Sequence, residues 1–206
     1  KQSGGGFAGI QVDSGSTLTI APSGGTLNVH GGYWVDADNS NNVPNTSLYE
    51  NDGNGYGWPS GAKTNLSGGA GIGGGAAWNT TTSASQNYTA GTPGTIIING
   101  GNINAHGGHQ AAGIGGGLNG AATSDSITIN GGRVIAHGGR WAAGIGDGDS
   151  LQNDWTTKYK DPYSIVLNGG IIQATGGVNC PGIGTTDEVS AKQTRRDTSG
   201  LTIQLN

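Results

Sequence analysis

Methionine is absent from the 206-residue chain, cysteine and phenylalanine occur once each, and only 11% of the residues are charged. Each scarcity excludes something. The single Cys180 permits no internal disulfide, so this is not a small cross-linked scaffold. Nine lysines and arginines stand against thirteen acids with no basic stripe among them, which argues against a nucleic-acid partner. No apolar run approaches the ~20 residues that a membrane helix needs, so no membrane partner is expected. Aliphatic, aromatic and cysteine residues together reach only 32%. That looks thin for a packed core until glycine is counted, since the usual apolar share of about 45–50% includes it. Forty-four glycines make up the deficit. They do not recur at every third position, so a collagen helix is excluded.

What is present is a repeat. The segments INGGNINAHGGHQAAGI, INGGRVIAHGGRWAAGI and LNGGIIQATGGVNCPGI begin at Ile98, Ile129 and Leu167 and end at Ile114, Ile145 and Ile183, so the blocks share one length. The spacers between them differ in length. Blocks of constant length with variable spacers indicate stacked structural units with insertions on one side. Each block contains short runs with apolar residues at alternate positions, a period that belongs to strands. The first runs cover residues 95–98, 126–129 and 164–167, the second 102–106, 133–137 and 171–175, and the third is the glycine–isoleucine segment. Gly-Gly pairs such as Gly100-Gly101 and Gly107-Gly108 separate them, as tight corners require.

Three strands and three corners per block describe one coil of a parallel β-helix, right-handed by the general rule for parallel crossovers, with coils stacked ~4.8 Å apart. The reading is therefore all-β: one domain spanning 1–206, with about four three-strand coils and a partial coil at each end. Equivalent residues should form columns. Ile96, Ile127 and Ile165 point inward, as do Ile98, Ile129 and Leu167, then Ile103, Val134 and Ile172, and the small Ala105, Ala136 and Ala174. Asn99, Asn130 and Asn168 should form an asparagine ladder that satisfies corner backbone groups. Ile72, Ile114, Ile145 and Ile183 are the single inward residue of each third strand. Cys180 takes the place of Ala111 and Ala142 and is expected to be a small buried thiol. The first coil is interrupted by a long insertion, residues 33–69. The inter-coil loops are 76–94, 117–125, 147–162 and 185–199. Ala8–Val12 should be a third strand preceding the first coil, and Leu201–Asn206 should begin another first strand.

The motifs TLTI, GTLNVHGG, AGIGGG and TIIINGGNINAHGGHQAAGIGGG resemble the glycine-rich parallel β-helix repeats of secreted or cell-surface bacterial proteins. Such repeats are described as carbohydrate-binding or pectate-lyase-like. The resemblance implies an extracellular β-helix. It rests on architectural residues, so function has to be sought in what decorates the coil. Low charge and abundant Thr, Asn, Ser and Gly fit the same extracellular or cell-surface setting.

Five tryptophans and six tyrosines against one phenylalanine mean that nearly every aromatic ring carries a polar group. Most lie outside the coil pattern. Trp34, Tyr56, Trp58, Trp78, Trp141, Trp155 and Tyr159 are the candidates for stacking on sugar rings, with a polysaccharide or other glycan as partner. Their other role would be to seal glycine-rich loops against the coil. Trp34 and Trp141 each stand second after a Gly-Gly corner, which would set them two coils apart. His30, His106 and His137 form one outward column, ended by Thr175, and read as a stacked ladder more readily than as a metal site. Asp36 and Asp38 open a stretch with some features of a calcium loop, but it lacks the expected glycine and closing glutamate. Calcium is thus the only cofactor considered, and none is required. Asp147 and Asp149 are the candidates for paired carboxylates if the protein is a small glycoside hydrolase. A passive adhesin stalk is the remaining alternative. The leading reading is a non-catalytic, carbohydrate-binding β-helix.

Overall fold

The computed structural model describes residues 5–32, 68–78, 88–89, 91–118, 120, 126–149, 163–177, 179–186 and 201–205. Its strands assemble into three parallel sheets that wind around one core. In the first sheet Thr17–Ile20, Thr95–Ile98, Ser126–Ile129, Tyr163–Leu167 and Leu201–Leu205 lie side by side in chain order. The second holds Thr26–His30, Asn102–His106, Arg133–His137 and Ile171–Thr175. The third holds Ile10–Gln11, Ile72–Gly73, Ile114–Gly115, Ile145–Gly146 and Ile183–Gly184. Four rungs are complete, and a partial rung stands at each end.

Register follows the inward columns. Leu18, Ile96, Ile127 and Ile165 are in-register partners across the first sheet, and Leu27, Ile103, Val134 and Ile172 across the second. A one-residue slip in any strand would carry its apolar set from core to solvent, so the alternation itself fixes the pairing. The isoleucines of the inner rungs are the core: Ile96, Ile98, Ile114, Ile129 and Ile145 are fully buried. Burying each side chain contributes about 1.5–3 kcal/mol. Burial decreases toward the stack ends, where Leu18, Ile20, Ile172 and Ile183 are only partly buried.

The third strand explains the glycine–isoleucine run. Its isoleucines align from Ile10 through Ile72, Ile114 and Ile145 to Ile183. From Ile72 onward the glycine after each isoleucine has a positive φ, 137° at Gly73, 132° at Gly115, 135° at Gly146 and 131° at Gly184. L side chains rarely adopt that conformation. A β-carbon at Gly115 would also lie 2.0 Å from the carbonyl oxygen of Gly146 in the next rung. The chain then closes tightly over the isoleucine. Ala70 N donates to Gly74 O at 2.9 Å, Ala112 N to Gly116 O at 2.8 Å and Ala143 N to Asp147 O at 2.9 Å.

Polar ladders run beside the core. Asn130 Nδ2 donates to Asn99 Oδ1 at 2.7 Å, and Asn168 Nδ2 donates to Asn130 Oδ1 at 2.6 Å. These bonds run amide to amide along the stack, as the ladder expects. A second pair, Asn104 Nδ2 to Asn28 Oδ1 at 2.7 Å, lies on the second sheet.

Cys180 occupies the place of Ala111 and Ala142 but is half-buried, while both alanines are fully buried. The expectation of a buried thiol is corrected on this point. The physical reason is position: Cys180 belongs to the last complete rung, where neighbouring Ile183 is also only partly buried. One element was not anticipated. Gly5–Gly6, Ala76–Trp78 and Tyr88–Thr89 form a small antiparallel sheet beside the parallel ones.

Candidate functional site

The corner between the second and third sheets is where chemistry gathers. Equivalent positions there carry Gln110, Trp141 and Asn179, and all three have left-handed backbones, with φ of 61°, 61° and 57°. Asparagine accepts that conformation readily, but a bulky ring does so at a cost. The preceding positions are His109 and Arg140. The Arg140 guanidinium carbon lies 4.1 Å from the Trp141 ring centroid, a cation–π contact. His109 meets the same ring edge-on at 6.2 Å. Trp141 remains partly exposed, flanked by two nitrogen-rich side chains.

Gln110 turns the other way. It is 3% exposed, and its Nε2 donates to Asp149 Oδ2 at 2.6 Å. The backbone returns the contact, with Asp149 N donating to Gln110 O at 2.9 Å. Asp149 is 5% exposed and Asp147 1%. Asp147 N donates to Gly184 O at 3.2 Å, and Thr186 Oγ1 donates to Gly148 O at 3.0 Å. Residues 147–149, which the sequence had placed at the start of a spacer, are thus packed into the stack. Two acids that hydrolyse a glycoside must flank the scissile bond. These two carboxylates are enclosed, and the groups around them tie adjacent rungs together.

The histidine column forms as its spacing suggests. His30, His106 and His137 are in-register partners, and Thr175 follows them on the next rung. Ring centroids are 4.8 Å apart for His30 and His106, and 4.7 Å for His106 and His137, with interplanar angles of 16° and 23°. Burial first, then the imidazoles of His137 and His30, lower His106 to about 4. Burial lowers His137 as well. Among the described residues no group of three or more His, Cys, Asp or Glu is placed to hold a metal ion.

Of the candidate sugar-binding residues, Trp78 and Trp141 are described. Trp78 stands directly opposite Tyr88 in the small antiparallel sheet. Trp34, Tyr56, Trp58, Trp155 and Tyr159 lie outside the described residues, as do the calcium candidates Asp36 and Asp38. Sequence reasoning missed Gln110 as the partner of Asp149. It also missed the Trp78–Tyr88 pairing, because strands of two and three residues carry too little alternation to be recognised.

A protein-family model described as Beta helix repeat matches the chain three times, at residues 96–118, 127–149 and 165–187. Each match covers one rung and runs past the third strand. No curated protein and no solved structure matches the chain. Among the described residues no helix is long and apolar enough to cross a membrane.

Proposed function

Starting from a parallel β-helix that carries three such repeats, we propose that the protein is a carbohydrate-binding module of an extracellular or cell-surface protein. Aromatic rings held beside the stack would serve as its sugar platforms. The observation that carries this reading is the pairing of Trp78 with Tyr88 at directly opposite positions of a short antiparallel sheet. Opposed residues on neighbouring strands share a face, so the backbone register sets both positions on one face of this short sheet. Trp141, partly exposed at the corner between the second and third sheets, adds a further ring. Rings stack on the apolar faces of sugars, while the indole N–H and phenol O–H reach hydroxyls. The rungs supply a repeating scaffold whose period suits an extended polymer.

Enclosure of Asp147 and Asp149 favours binding over hydrolysis. The test is retention on insoluble polysaccharides and affinity electrophoresis in soluble ones, with Trp78→Ala, Tyr88→Ala and Trp141→Ala. Each variant is expected to weaken retention at least several-fold while keeping the unfolding midpoint. Retention that is equal in all three variants and the parent would remove these rings from the site. Sugar release that Asp149→Asn abolishes would instead establish the hydrolase.

A further inference from the structure

Three imidazoles stacked face to face along consecutive rungs make an unusual seam for a parallel sheet. We propose that the His30–His106–His137 column is an acid-sensitive fastening, compact while its rings are neutral and prone to part the second sheet when they take up protons. Geometry carries the argument. In-register pairing leaves each ring no choice but to sit over the next, 4.7–4.8 Å away. The central ring, His106, therefore has one imidazole above and one below, and a proton on any ring faces another potential cation 4.7–4.8 Å away, centroid to centroid. Like charges directly opposed on neighbouring strands destabilise the pair.

At His106 the neighbouring charges that count are the imidazoles of His137 and His30, and both disfavour its proton. The described acids are Asp13, which accepts from Gln11 Nε2 at 2.7 Å, and the enclosed Asp147 and Asp149 at the end of a third-sheet run. On the histidines' own sheet the outward neighbours are Asn28, Asn104, Ile135 and Gln173, then Thr26, Asn102, Arg133 and Ile171. Across the corner stand His109 and Arg140, which add further positive or protonatable groups. From the third sheet, Gly71 and Gly113 pack on the backbone of His106 and His137 and bring no charge. His106 is lowered to about 4 first by burial and then by the imidazoles of His137 and His30.

The sign follows from linkage. A free histidine titrates near 6.5, so below that pH the unfolded chain binds protons that the folded His106 and His137 refuse. The column's contribution is complete above about pH 6.5 and declines as the pH falls toward His106's own value near 4. The fourth rung supplies a natural control, since Thr175 occupies the same column.

The experiment compares urea unfolding of the parent and His106→Thr at pH 7.5 and pH 4.5, with the histidine ring protons followed by NMR in the folded parent. We expect the parent's midpoint to fall more on acidification than that of the variant, and one ring to titrate at least one unit below the ordinary value. Equal losses in parent and variant, or ordinary titration of all four histidines, would overturn the proposal. If His106→Thr fails to fold at pH 7.5, the NMR titration of the parent decides alone.

Discussion

Gln110 and Asp149 grip each other twice, side chain to side chain at 2.6 Å and backbone to backbone at 2.9 Å, across adjacent rungs. The pair stands at the corner where the backbone of Gln110 is left-handed, and both residues are buried. Taking away one member would leave the other polar and enclosed. Asp149→Ala is therefore expected to lower the stability by about 1–3 kcal/mol, the penalty of an orphaned buried group. Asp149→Asn keeps an oxygen for the amide and should lose less. Urea unfolding measures both, and an alanine variant as stable as the parent would show that the bond is dispensable.

The column of third-strand isoleucines offers a comparison between the middle of the stack and its end. Ile114 is fully buried, whereas Ile183 in the last complete rung is only partly so. Ile114→Ala should remove about 2–5 kcal/mol, a transfer term plus a cavity that the rigid rungs cannot collapse. Ile183→Ala should cost clearly less. Thermal unfolding of the two variants side by side is the check, and equal losses would contradict a core that thins toward its end.

Two glycines separate conformational necessity from mere composition. Gly115 has a φ of 132° and its missing β-carbon would lie against Gly146 O. Gly115→Ala is expected to cost at least the ~1–3 kcal/mol of a strained backbone, with the clash added. Gly24 has open space around it, and Gly24→Ala should change stability by no more than about 0.5 kcal/mol. Soluble yield and unfolding midpoint report both.

Much of the fold was legible before any coordinates. Period-two alternation in TLTI, SITI and NINAH, the Gly-Gly corners and the constant block length fix strand, turn and rung, because a strand's two faces and a glycine's freedom are local properties. The in-register columns, the asparagine ladder and the stacked histidines follow once the blocks are taken as equivalent. The candidate site was much less legible. Trp141 was singled out for its ring, but its contact with Arg140 and His109 depends on a corner geometry that single-chain spacing does not encode. Asp147 and Asp149 looked like loop acids because Asp-Gly sequences usually mark turns, yet contacts from the rungs on both sides enclose the segment.

The sequence by itself determined that this chain is a stack of rungs, since repetition forces equivalent residues into equivalent environments and the alternation decides which side faces inward. Tertiary structure alone decided what the exceptions do. Whether an acid ends beside solvent or beside Gln110 depends on a contact between segments distant along the chain, and the Trp78–Tyr88 register on strands too short to carry a pattern. Those contacts form only when neighbouring rungs and their spacers come together, and no local periodicity records them.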